Sequence, residues 1–237
     1  MKKRLHFAFT VFSVALMVMT LTAIPALAKA KTWSFDKEKA QTLPPGWLSE
    51  HTGQGSQGNW KVVADPTAPS QPNVLAQLSD DATNYRFPLV IVEKTNYKDL
   101  VFSVRFKAIS GARDQGAGLV WRFRDANNYY IVRANALENN VVLYKVQEGK
   151  RISLAPKGTS EKTYGVKTRV PGNTWNQLGV QVKGSLFTVS LNGQKLFEVE
   201  DNTFAEAGKI GLWTKADSVI YFDDLTAEGE RTGTPGR

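Results

Sequence analysis

Planar cations, amides and phenol rings recur along residues 118–147. The segments 118–124, 129–135 and 140–147 read as three strands joined by four-residue loops at 125–128 and 136–139. That register sets Arg124 against Tyr129 and Asn135 against Asn140. Side chains alternate across a strand, so one face collects Leu119, Trp121, Phe123, Tyr130, Val132, Val141 and Leu143 and faces a core. The other face collects Arg122, Arg124, Tyr129, Ile131, Arg133, Asn135, Asn140, Val142 and Tyr144. A surface of this kind suits sugars, whose C–H faces stack on rings while their hydroxyls satisfy arginine and amide groups. The plainer reading is a solvated face whose arginine stems cover apolar neighbours. A slip of one residue would exchange the two faces, and three arginines on adjacent strands call for a compensating carboxylate, anion or partner.

A second candidate is Trp213-Thr214-Lys215-Ala216-Asp217-Ser218, between two expected strands. Trp213, Lys215 and Asp217 could bound a sugar subsite; a core tryptophan beside a solvated turn is the alternative. No strand bears the closely spaced Glu, Asp and Glu that would supply a nucleophile and an acid/base for glycoside hydrolysis. The nearest cluster, Glu198, Glu200 and Asp201, follows the Asn192-Gly193 turn and reads as an exposed hairpin edge. His51 is the one histidine outside the leader, and the chain has no cysteine, which excludes a triad, a histidine-based zinc site, a thiolate metal site and a disulfide framework.

These residues need a β scaffold. Short strands are expected at 32–35, 60–64 and 73–77, between loops rich in Pro and Gly, and then at 89–93, 100–109, 118–124, 129–135 and 140–147. The series continues at 175–183, 186–191, 194–200, 208–214 and 219–227. Asn192-Gly193 accepts positive φ at both centres of a tight hairpin, and Lys183-Gly184-Ser185 makes the turn before it, so 175–200 is a three-stranded meander. No sustained helical period appears. The expectation is an all-β, two-sheet antiparallel sandwich over residues 29–227.

Lys2, Lys3 and Arg4, an apolar run and Ala26-Leu27-Ala28 read as a cleavable export signal over residues 1–28, with a flexible tail at 228–237. The expected location is the periplasm or the exterior, with no membrane span left after cleavage. The formal charge is +8; without the leader, 27 basic and 22 acidic residues leave +5, scattered rather than clustered. That speaks against nucleic acid and for association with an anionic envelope; the expected partner is a glycan or envelope polysaccharide.

The segments Gly116-Ala117-Gly118-Leu119-Val120-Trp121-Arg122, Asn128-Tyr129-Tyr130-Ile131-Val132-Arg133, Trp175-Asn176-Gln177-Leu178-Gly179-Val180 and Gly208-Lys209-Ile210-Gly211-Leu212-Trp213 resemble the concanavalin A-like lectin and glucanase jelly rolls. Within that superfamily the chain is similar to the 3-keto-disaccharide hydrolase-type domain, loosely labelled family 16 glycoside hydrolase, and to laminin G-like modules. The resemblance implies a jelly roll with a sugar-related role outside the cytoplasm. In the keto-sugar group an acidic residue follows the Gly-x-x-x-Arg segment, and a histidine lies near the Gly-Ile-Gly-Leu strand. This chain has Arg133 and Lys215 at those places, and Arg122 alone matches. Carbohydrate-binding sandwiches of this kind also place a terminal-strand aspartate on a structural calcium, which implies Asp36 and Asp224 as ligands; hydrogen bonding at a strand edge or pairing with lysine is the alternative. The leading expectation is thus glycan binding without cleavage, through Arg122, Tyr129, Arg133, Asn135, Asn140, Tyr144, Trp213, Lys215 and Asp217. Glycoside hydrolysis on 3-keto-glycosides or other saccharides, and an envelope protein–protein module, stand as alternatives.

Overall fold

The computed structural model describes residues 30–229. The export signal and most of the C-terminal tail lie outside the described residues. Sixteen strands form two antiparallel sheets, and no helix occurs among the described residues. Sheet A has the order β14-β13-β12-β6-β16-β4-β3, with β1 beside β16; sheet B has the order β10-β9-β8-β7-β15-β5-β2, with β11 beside β9. The all-β, two-sheet jelly-roll expectation holds.

Sheet A comprises β1 (Lys31–Trp33), β3 (Trp60–Ala64), β4 (Asn73–Gln77), β6 (Leu100–Ser110), β12 (Asn176–Lys183), β13 (Leu186–Leu191), β14 (Gln194–Glu200) and β16 (Val219–Glu228). The meander around Asn192-Gly193 is present, with Leu191 opposite Gln194 and Asn192 at φ 51°. Sheet B comprises β2 (Trp47–Gly53), β5 (Arg86–Tyr97), β7 (Gly116–Asp125), β8 (Asn128–Asn135), β9 (Asn140–Gln147), β10 (Lys150–Leu154), β11 (Val166–Lys167) and β15 (Gly208–Thr214). Strands β2 and β10 were not expected from sequence, and β5 is far longer than residues 89–93.

Between the sheets lies one apolar core that includes Leu119, Trp121, Tyr130, Val132, Val141 and Leu143 from sheet B and Phe102, Phe106, Phe187 and Phe222 from sheet A. Six of the seven residues expected on the core face are there. Phe123 is the exception, and a β-bulge explains it. Trp121 pairs with Tyr130 and Asp125 with Asn128, with a register shift between, and Arg122 sits at φ 47°. Such an irregularity inverts the alternation beyond it. Phe123 therefore joins the outer face of sheet B, while Arg122 and Arg124 turn to the core side, against Phe187 and Phe204. Gly208 permits the close backbone approach, since a Cβ there would fall 2.6 Å from the Arg122 carbonyl carbon.

Sheet B also curls over its own outer face. Tyr129 on β8 hydrogen-bonds Thr52 on β2 at 2.9 Å, and Thr52 also donates to the Ala126 carbonyl in the β7–β8 hairpin. These strands are four places apart in the sheet order. The curl buries a second apolar cluster, including Phe87, Leu89, Ile91, Val120, Phe123, Tyr129, Ile131, Tyr144 and Trp213.

Candidate functional site

The sequence-expected residues divide into three groups. Arg122 leaves the face altogether. Its guanidinium, almost fully buried, donates to the carbonyls of Lys98 (3.0 and 3.1 Å), Phe204 (2.7 Å) and Gly184 (2.7 Å), and lies 3.4 Å from Asp99. It ties turns of both sheets together at one end of the sandwich, so its place among surface ligand contacts is corrected. The bulge is the cause. Tyr129 and Trp213 do face outward, yet both are fully buried in the second cluster, Tyr129 on Thr52 and Trp213 stacked on Phe87 at 5.4 Å.

The remaining six, Arg133, Asn135, Asn140, Tyr144, Lys215 and Asp217, converge. The Arg133 guanidinium forks onto Glu138 at 3.2 and 2.9 Å and reaches Asn140 Oδ1 at 3.0 Å. Asn140 returns a bond to Glu138 at 2.9 Å. Asp114 stands 3.8 Å from Arg133 and accepts from Asn135 at 2.9 Å and from Lys215 Nζ. Gly116 leaves room for this pair, since a Cβ there would lie 2.8 Å from Asp114 Oδ1 and 3.1 Å from Arg133 Cδ. Asp217 does not enter the network itself. It accepts from the backbone N–H groups of Ala112 (2.7 Å), Arg113 (2.9 Å) and Asp114 (2.9 Å), and so holds the loop that presents Asp114.

The electrostatics follow from burial and pairing. Hydrogen bonding to Arg133 lowers the Glu138 carboxyl to about 2, against the cost of burial. Burial raises Asp114, and the charges of Arg133 and Lys215 offset that only in part. Burial also pushes Asp217 up, but its three N–H donors outweigh it and leave the carboxyl below the usual range.

Four participants escaped sequence reasoning. Asp114 and Glu138 sit in loops flanking the strands, and the need to balance Arg133 was the available signal for them. Arg151 lies on β10, with its guanidinium over the rings of Tyr144 (4.5 Å), Phe87 (4.7 Å) and Trp213 (5.7 Å). Tyr164, half-exposed, completes a rim by hydrogen-bonding the Tyr144 hydroxyl. Arg151, Tyr164, Glu138 and Lys215 are the members of this assembly that solvent reaches.

The expected calcium ligands Asp36 and Asp224 both lie near Asp223, close enough to act on its charge. Asp36 spends its carboxylate on Ser70 Oγ (2.9 Å) and the Asn73 N–H (3.5 Å). At the bulge of β16 it is Asp223, not Asp224, that is fully buried, accepting from the backbone of Ser70 (2.9 Å) and Asp224 (2.8 Å). Among the described residues no three acidic or histidine side chains group to hold a metal ion. Nor does any described helix reach the length and apolarity needed to cross a membrane.

Solved structures share this architecture at low identity. Carbohydrate binding module CBM66 from Bacillus subtilis matches with a TM-score of 0.59 and 18% identity over 78% of this chain and 96% of its own. Cellulose induced protein Cip1 gives 0.59 and 13%, covering 86% and 99%. Domain 4 of AbnA, a GH43 extracellular arabinanase from Geobacillus stearothermophilus in complex with arabinotriose, gives 0.50 and 13%, covering 88% and 96%. At these identities the likeness is one of fold. No curated protein matched. A family match spans residues 35–228, which takes in every strand but β1 and every residue of the polar network. The chain therefore belongs to the 3-keto-alpha-glucoside-1,2-lyase-like domain family, a family of concanavalin A-like sandwiches.

Proposed function

We propose that this is an exported carbohydrate-binding sandwich that holds a glycan over the outer face of sheet B without cleaving it. The observation that carries the reading is the convergence of Tyr144, Tyr164 and Arg151 at the rim of the Arg133–Glu138–Asn140–Asp114–Lys215 network. The exposed Tyr164 ring can receive the C–H face of a sugar, while the Glu138 carboxylate and the Lys215 ammonium answer its hydroxyls. The structural neighbours, a carbohydrate binding module and an arabinanase domain in complex with arabinotriose, lend support as proteins of the same fold.

The family's description favours a second reading, a 1,2-elimination on a 3-keto-glycoside. That step removes the proton from C2 and breaks the C1–O bond, leaving a C1=C2 double bond conjugated to the ketone and consuming no water. It needs a base free to accept the proton. Both carboxylates of the network are committed, Glu138 to Arg133 and Asn140, and Asp114 to Lys215 and Asn135. Binding is the better-supported function for this reason.

Calorimetric titration of the protein lacking its leader against a panel of neutral and acidic oligosaccharides tests the proposal. Tyr164→Ala, at an exposed loop position, should weaken binding about tenfold, the worth of one stacking ring. Equal affinity in wild type and variant, or no binding across the panel, overturns it. Growth of enone absorbance with 3-keto-glucosides would install the elimination instead. Recovery of a defined protein from envelope extract, insensitive to added sugar, would favour an interaction module.

A further inference from the structure

Two guanidinium groups share the Tyr144 ring, Arg151 at 4.5 Å and Arg133 at 6.0 Å from its centroid. Their charges are answered unequally. Arg133 has Glu138 and Asp114, whereas Arg151 has no carboxylate within ion-pair distance among the described residues and rests on rings alone. Each also carries a buried N–H without an acceptor: Nε of Arg133, a fully buried side chain, and Nη1 of Arg151. A buried donor left unmade is costly, and a charged one more so. Lys215 adds a third cation to the assembly, and Lys167 and Arg169 lie with Glu138 along an open surface depression. Three carboxylates, Glu138, Asp114 and Asp217, stand against these five cations.

We propose that the glycan bound here is acidic, and that a uronic acid carboxylate is received by Arg151 beside the Tyr144 ring. This rests on the glycan-binding reading above and names its ligand class. A neutral sugar would leave the Arg151 charge unanswered. A carboxylate supplies the counter-charge that this cation lacks, and charge-assisted bonds to arginine are the strong ones. The strip formed by Lys167 and Arg169 would accompany the next acidic unit of the chain. Arg151 becomes the specificity-determining residue, on an edge strand whose side chains reach solvent.

The test compares trigalacturonate, its methyl ester and a sulfated galactotriose in calorimetric titrations, with wild type, Arg151→Gln and Arg151→Lys. Trigalacturonate should bind at least about tenfold more tightly than the uncharged ester, with an affinity that falls as NaCl rises. Arg151→Gln should abolish that preference, bringing the affinity for trigalacturonate down to that for the ester measured with the same variant. Arg151→Lys should keep part of it, having the charge without the fork. Equal affinity for acid and ester, or a preference that survives in Arg151→Gln, overturns the proposal. Tight binding of the sulfated sugar without trigalacturonate overturns the carboxylate assignment. If neutral sugars bind in a Tyr164-dependent way with no acid preference, the acidic ligand fails while glycan binding stands; if nothing binds, both fail.

Discussion

Asp223 makes the fold sensitive to pH in a way that can be isolated. Its carboxyl is fully buried on β16, and burial, with the nearby charges of Asp224 and Asp36, pushes it up to about 7 from 3.8, despite the N–H donors of Ser70 and Asp224. Below about pH 4 both folded and unfolded chains hold this proton. Between about 4 and 7 the folded chain keeps it and the unfolded chain does not, so unfolding releases a proton and stability falls as pH rises; above 7 the curve is flat again. A shift of about three pK units at 1.36 kcal/mol each sets an upper value of about 4 kcal/mol, and screening by water and dipoles brings the expected loss to about 2–4 kcal/mol. Asp223→Asn removes the titration. The amide can accept from only one of the two backbone N–H donors, so the variant starts about 1–2 kcal/mol less stable at low pH. Its deficit should then shrink or reverse by pH 8. Urea unfolding of both proteins at pH 4, 6 and 8 supplies the difference curve, in which the other titrating groups cancel. A pH-independent difference refutes the assignment of the raised carboxyl to Asp223.

Arg122→Ala should cost about 3–5 kcal/mol by chemical denaturation, because it strands the carbonyls of Lys98, Phe204 and Gly184 at one end of the sandwich; a loss under about 1 kcal/mol would show that water replaces the guanidinium there. Asp217→Ala should cost about 2–4 kcal/mol and speed amide exchange at residues 112–114, since three N–H groups lose their acceptor; unchanged exchange would mean that the loop is held by other contacts. Glu138 is held at about 2, so its stabilisation is present above about 4.5 and lost as pH falls toward 2. The gap in Tm between wild type and Glu138→Gln should therefore narrow over that window, and a constant gap would count against the Arg133–Glu138 pair.

The sandwich was readable because its hairpins carry their own marks. Strands β3, β4, β9, β13, β14 and β15 have the limits their alternation predicts. The missed strands lack that mark. Strand β2, Trp-Leu-Ser-Glu-His-Thr-Gly, follows a Pro-Pro-Gly turn and has few β-branched residues; β10 is five residues at an edge; Pro88 interrupts the run that would have extended β5. Half of the site was legible, since Arg133, Asn135, Asn140 and Tyr144 follow from period-two alternation on β8 and β9. The rest depended on the bulge at Arg122, which local sequence does not announce, and on tertiary curl, which carries Arg151 from an unrecognised strand across to Phe87 and Trp213. The two cations that depart from the family pattern, Arg133 and Lys215, meet over Asp114, a carboxylate contributed by the β6–β7 loop.

The placement of β16 also governs when the molecule can exist. This final strand lies inside sheet A, flanked by β6 on one side and by β4 and β1 on the other, with Thr32 and Thr226 in hydrogen-bond contact across 194 residues of chain. Sheet A thus stays open, with strand edges unsatisfied, until residues 219–228 have been made. Loop closure over such separations makes folding slow, on the order of milliseconds to seconds. A nascent chain that stops short of β16 would have two halves of sheet A and nothing to join them, and would close its sandwich only when that strand is free to pair.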